Sequence, residues 1–167
     1  RLTHPNIVTV FEAVSEGPVS LIVSEYIQGP NLGAWRLARK RPVPPRHAAQ
    51  LVAALADAVA HAHDQKVLHR DIKPSNILLA PRGADVPDYA DLDRFHPKLT
   101  DFGLAKLLET QDATLSGAIV GTPAYMPPEQ IAGHLKDIGP PVDIYALGMV
   151  LYELVVGKNP YLHESIG

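Results

Sequence analysis

Between Val142 and Val156 the chain places apolar residues on nearly every face of a helix, and a helix of that kind belongs in the middle of a domain. Its most apolar part, Ile144 to Val156, is shorter than the roughly 20 residues a bilayer demands and contains Glu153, so no membrane segment is expected within this chain. With 167 residues, of which 46% are hydrophobic and 20% charged, there is enough apolar material to pack one ordinary domain around it.

The segments upstream change type in an informative order. Ile7 to Phe11 and Val19 to Tyr26 are β-branched and aromatic runs of strand length, and Ser15-Glu16-Gly17-Pro18 between them has turn chemistry, which predicts an antiparallel hairpin. Gly29-Pro30 ends the second run. A short helix is expected over Leu32 to Arg39, before Pro42, Pro44 and Pro45 punctuate a loop. Arg46 to Asp64 has no Gly or Pro, is rich in alanine, and spaces Leu51, Leu55, Val59 and Ala62 as one helix face. Short strands at Ile77 to Leu79 and Lys98 to Thr100 flank a polar stretch, including the acidic Asp85 to Asp93, that reads as a surface insertion. A long loop then runs from Asp101 to about Glu129. Strands first and helices later give an α+β class whose small β part is incomplete.

Composition removes several function classes. A net charge of -3 and a pI near 6.2 offer no strongly basic surface, so no nucleic-acid partner is expected. The absence of cysteine excludes disulfides and thiolate metal sites. Among the eight histidines, His61 and His63 are two apart and point to different helix faces, and no His-Glu-x-x-His pattern exists, so a structural zinc is not expected. Sixteen prolines follow no repeat period. The opening residues lack an initiator methionine and a charged leader, and read as a start in mid-domain.

The chemistry lies in His69-Arg70-Asp71-Ile72-Lys73-Pro74-Ser75-Asn76 and, further on, Asp101-Phe102-Gly103. Phosphoryl transfer from a nucleotide needs a carboxylate to accept or orient a hydroxyl proton, oxygen ligands for Mg²⁺, and positive charge near the moving group. Asp71, then Asn76 with Asp101, then Lys73 supply these in order. Taken singly, each fits an ordinary solvated turn. Independent structural needs have no reason to reproduce the whole ordered array.

This array resembles the catalytic loop and metal-binding turn of the eukaryotic-type (Hanks-type) Ser/Thr protein kinases. The resemblance implies Asp71 as catalytic base, Asn76 and Asp101 as ligands of Mg²⁺ (or Mn²⁺), ATP as phosphoryl donor, and Lys73 as the charge that neutralises the transferred group. A lysine two residues after the aspartate favours Ser/Thr over Tyr. Gly103 completes the turn. His69, Phe102 and Val10 match members of a stacked apolar column, and Leu78 the residue beneath adenine. Ser24-Glu25-Tyr26-Ile27 resembles the hinge, where the Glu25 carbonyl and the Ile27 backbone would face adenine and the small Ser24 would leave an open rear pocket.

Gly121 to Glu129 resembles the end of the activation segment where peptide substrates dock, with Pro128 where alanine is commoner. Glu129 would pair with an arginine beyond Gly167. Thr122 would hydrogen-bond Asp71 and Lys73. Arg70 would grip a phosphorylated loop residue, for which Thr110, Thr114 and Ser116 are candidates, so autophosphorylation is expected. Asp143 would hold the catalytic-loop backbone, although a carboxylate in the first turn of a helix also serves the helix dipole alone.

By this resemblance the chain is a partial kinase domain of bacterial style. Residues 1–24 are the remnant of the small lobe, 25–30 the hinge and 31–167 part of the large lobe. The Gly-rich loop, its lysine and the pairing glutamate are not in the sequence, which reads as truncated at both ends, so these residues alone are expected to bind nucleotide poorly and to catalyse little. Protein substrates bearing Ser or Thr are the implied partners, in the cytoplasm, with membrane anchoring of a longer protein left open. The alternative is a pseudokinase or scaffold that keeps the fold. A small-molecule phosphotransferase would generally lack the Gly121 to Glu129 segment.

Overall fold

A computed structural model of the chain describes residues 2–16, 19–39, 41–102, 123–133 and 138–162. Strand β1 (Val10–Glu16) pairs antiparallel with β2 (Val19–Ser24), with an irregularity between Val10 and Glu12. The first strand of this hairpin sits later in the chain than its apolar run, Ile7 to Phe11, predicts. Ser15 and Glu16 still pair across it, and Ile7 instead bridges in parallel to Leu99. The backbone explains the shift: Val8 N–H donates to Leu99 O at 2.8 Å and Leu99 N–H to Asn6 O at 2.8 Å, which commits residues 6–8 to a different sheet edge. β2 stops at Ser24 rather than Tyr26. There the Glu25 side chain folds back, its Oε1 accepting from Thr9 N–H and from Lys98 Nζ, both at 2.7 Å.

Helix α1 (Leu32–Arg39) is capped by Asn31, whose Oδ1 accepts from the Ala34 N–H at 2.8 Å, and it buries Leu32 and Trp35. Helix α2 (Pro45–Asp64) opens on Pro45, where a missing N–H costs nothing, and buries Leu51, Leu55, Val59 and Ala62 along one stripe. Strands β3 (Ile77–Pro81) and β4 (Phe95–Leu99) form a second antiparallel hairpin, running from Ile77 opposite Leu99 to Pro81 opposite Phe95. The segment after β2 crosses β3 at Gly29, where any Cβ would collide with the Leu79 carbonyl, so only glycine lets the chains approach. The insertion between β3 and β4 is mostly exposed, yet it is anchored. Leu92 is buried, the Trp35 indole N–H donates to Ala90 O at 2.8 Å, and Arg39, lying over the Trp35 ring, pairs with Asp91 at 2.5 Å.

A 3-10 turn at Pro123–Tyr125 leads into the short α3 (Pro128–Ile131). Helix α4 (Pro141–Val156) ends at Gly157, whose φ of 84° is the left-handed cap that glycine tolerates. Its Ala146, Leu147, Val150 and Leu154 join the core that α2 helps to build. One face departs from the all-round burial expected of it: Ile144, Gly148, Tyr152 and Val156, four residues apart along one stripe, are exposed. An apolar pattern reports what a helix can bury, and among the described residues that stripe has no cover.

Candidate active site

The β3–β4 register assembles the chemistry. Asn76 closes a 3-10 turn (Pro74–Asn76) immediately before β3, and Thr100 immediately after β4 donates its N–H to Asn76 O at 3.0 Å. Asp101 is the next residue, left-handed at φ 65° and exposed, with the Thr100 hydroxyl 3.4 Å from its Oδ1. Asn76 is buried, and its Nδ2 donates to Asp71 O at 2.9 Å and to Asp71 Oδ2 at 3.0 Å. Because that nitrogen is committed twice, the amide can present only Oδ1 as a further donor atom. Lys73 Nζ reaches the same Asp71 Oδ2 at 2.8 Å. Residues 30 positions apart in sequence thus converge on one sheet end.

The loop carrying Asp71 is held from below. Asp143, 1% exposed, takes the Arg70 N–H on Oδ1 at 2.8 Å and the His69 N–H on Oδ2 at 3.0 Å, and His63 Nε2 lies 2.7 Å from the same Oδ2. Three partners offset the cost of burying a carboxylate. Arg70 is in the left-handed region at φ 66°, which costs a non-glycine residue about 1–2 kcal/mol, and its carbonyl accepts from Gln130 Nε2 at 2.8 Å. His69 is fully buried with its ring centroid 4.5 Å from that of Phe102. Burial lowers its pKa, outweighing the upward pull of Asp143.

The other sequence-derived positions fall around this centre. Glu25 is fixed by Thr9 and Lys98. Burial alone would raise its pKa, but the hydrogen bonds from Lys98 and the Thr9 backbone more than compensate and lower it. The Ile27 carbonyl accepts from Gly29 N–H at 3.1 Å. Leu78, half-buried on β3, bridges to Asn31. Ser24 lines a cavity of about 450 Å³ together with Val10, Ile22, Leu99, Asp101 and Phe102. Glu129, on α3, makes no ion pair with another described residue. Gly103, Thr110, Thr114, Ser116 and Thr122 lie outside the described residues.

Several contributors escape sequence reasoning. His63 was considered only as a metal ligand, and nothing in its spacing links it to an aspartate 80 residues later. Gln130 is one amide in a short helix. A buried cluster joins three elements: Glu153 on α4 accepts from the Tyr125 hydroxyl at 2.5 Å and pairs with Arg36 of α1 at 2.6 Å. Burial and Glu153 together raise the Tyr125 pKa well above its ordinary value. A glutamate inside an apolar run was the available signal, since such a carboxylate must find partners.

The family model of the protein kinase domain matches residues 1–166. The serine/threonine-protein kinase PkaA of Streptomyces coelicolor is 43% identical over 161 residues, covering 96% of this chain and 27% of PkaA. The serine/threonine-protein kinase PrkC of Bacillus subtilis is 37% identical over 164 residues, covering 98% of this chain and 23% of PrkC. Among solved structures, a double-mutant form of the Mycobacterium tuberculosis PknI kinase domain superimposes with a TM-score of 0.73 at 26% identity, covering 97% of this chain and 55% of that one. The chain therefore spans about a quarter of the length of these two curated relatives.

Proposed function

The chain belongs to the protein kinase family, and from that premise we propose that the protein containing it transfers the γ-phosphoryl group of ATP to Ser or Thr hydroxyls of proteins. The observation that carries this reading is the pair of hydrogen bonds that Asn76 Nδ2 donates to Asp71 at the strand end that also bears Asp101. Asp71 Oδ2 already accepts from Asn76 and Lys73, so its Oδ1 is the oxygen left to orient an incoming hydroxyl and take its proton. Lys73, held at 2.8 Å from Asp71, brings its positive charge to the transferred phosphoryl group. Glu25 and Ile27 offer backbone atoms to adenine above Leu78, and Lys98 keeps that segment in place through the Glu25 carboxylate.

The donor set fits a divalent cation. Asn76 Oδ1 and the Asp101 carboxylate are hard oxygen ligands, which suit Mg²⁺, with Mn²⁺ also accommodated. The proposed protein ligands of such a cation are therefore one amide and one carboxylate. Such an ion supplies charge neutralisation on the phosphate oxygens. The protein partners are Ser/Thr-bearing substrates, its own activation segment included, and Arg70 is proposed to grip the phosphate carried by a phosphorylated residue of that segment.

The test is phosphate transfer from labelled ATP by the full-length protein, to itself and to a Ser/Thr peptide mixture, compared with Asp71→Asn and Asp101→Asn. Loss of at least about 100-fold in both variants is expected for removal of a base or of a cation ligand. Equal signal from all three proteins would remove the mechanism.

A further inference from the structure

The peptide unit between Arg70 and Asp71 has an unusual pair of restraints. Arg70 sits in the left-handed region at φ 66°, a conformation an arginine does not adopt without compensation. The Arg70 N–H is held by Asp143 Oδ1 at 2.8 Å and its carbonyl by Gln130 Nε2 at 2.8 Å, while among the described residues the Asp71 N–H meets the His69 Nδ1 at a longer 3.4 Å. A carbonyl oxygen can only accept, so the Gln130 amide must face it with its nitrogen. The plane of that peptide carries the Asp71 nitrogen, so its rotation would carry the Asp71 side chain away from Asn76 and Lys73. Asp143 fixes the plane before Arg70. Gln130 is the side chain that fixes the plane after it.

We propose that Gln130 is a positioning residue for phosphoryl transfer, holding the Arg70–Asp71 peptide plane and thereby the carboxylate of Asp71. The proposal rests on the kinase reading of Asp71. It also couples two parts of the site. Gln130 lies on α3, one residue after Glu129, and its own N–H is tied to Pro127 O at 3.0 Å, so the segment expected to dock the peptide is joined by one amide to the residue expected to accept the hydroxyl proton. Displacement of α3 in the absence of a peptide would slacken that hold, and a docked peptide that seats α3 would restore it.

Two near-isosteric variants of the full-length protein test this. Gln130→Met keeps the bulk and removes the donor. Gln130→Glu places a carboxylate against a carbonyl and regains a donor only when protonated. Losing a neutral hydrogen bond together with the restraint on a left-handed residue is expected to lower kcat about ten-fold in Gln130→Met, with peptide KM changed less than about two-fold. The deficit of Gln130→Glu relative to wild type should shrink between about pH 6.5 and about pH 5, as the new acid begins to protonate towards the ordinary glutamate range, whereas that of Gln130→Met should not change. Amide hydrogen exchange at Arg70 and Asp71 should quicken in Gln130→Met, and this readout does not depend on turnover.

A kcat within about two-fold of wild type in both variants, with exchange at Arg70 and Asp71 unaltered, would overturn the proposal, as would a raised peptide KM at constant kcat. If Gln130→Met does not fold, the pH dependence of Gln130→Glu decides in its place. Should wild type and Asp71→Asn transfer phosphate equally, the kinase reading fails instead, and amide exchange still reports whether Gln130 holds the peptide.

Discussion

His69 illustrates what burial does to one titratable side chain. Fully enclosed and packed at a tilt against Phe102, it resists protonation in the folded chain, because desolvation opposes the charged imidazolium more than Asp143 favours it. Its folded pKa therefore lies below its unfolded value near 6.5. As pH falls below that value the unfolded chain takes up a proton the folded chain refuses, so the stability present above it is progressively lost. As pH falls from about 7.5 towards about 5.5, His69 should lower the unfolding free energy. Burial lowers His4 and His96 in the same direction, and the lowered Glu25 contributes only at more acid pH. Urea denaturation of His69→Phe across this range should show a shallower pH slope than wild type, with His4 and His96 supplying the remainder. An unchanged slope would mean that His69 takes up its proton without the fold opening. None of this was legible in the residue's place within His69-Arg70-Asp71, which announces a loop and says nothing about how deeply the imidazole is enclosed.

At the scale of elements, one carboxylate on α4 joins α2 to the loop before β3. Asp143→Ala would leave two backbone N–H groups and the His63 ring without their acceptor in a site that water does not reach. The expected cost is about 3–5 kcal/mol in unfolding free energy. Asp143→Asn should cost less, since its amide oxygen still accepts one N–H. A loss below about 1 kcal/mol for the alanine variant would mean that the loop closes by other means. The elements themselves were readable to different depths. α2 follows its alanine-rich, breaker-free stretch, and α1 fills the interval between Gly29-Pro30 and the prolines that follow, because local propensity and packing agree there. The hairpins were displaced at their ends: Ile7 and Val8 have strand composition but pair with β4, and β-propensity does not name a partner. The insertion looked like free surface because its polar residues dominate the count, while Leu92 and the Trp35 bond to Ala90 decide its placement.

For the molecule as a whole, the sequence signal was strongest where chemistry demands fixed residue types. Asp71, Lys73, Asn76 and Asp101 could be named because phosphoryl transfer calls for these residue types in an ordered array, whereas Gln130 and His63 make contacts set by tertiary packing. The same distinction explains the outer face of α4. Its apolar stripe was read as buried, and the structure leaves Ile144 at 57%, Tyr152 at 44% and Val156 at 41% exposure. The β1–β2 hairpin adds Phe11 at 54% and Leu21 at 61%, in a two-stranded unit that is marginal by itself and has open edges. Exposed apolar residues in contiguous stripes drive association. A polypeptide of these 167 residues alone is therefore expected to bind a hydrophobic dye and to sediment as species larger than 18.1 kDa. Replacing both Ile144 and Tyr152 with lysine should lower dye binding by the share of exposed apolar area that these two side chains contribute. Since both side chains point away from the core, the double variant should keep the unfolding midpoint of the parent. A monomeric, dye-silent parent would overturn the reading of these surfaces as drivers of association. A lowered midpoint would place Ile144 or Tyr152 among the groups that hold α4 to its neighbours.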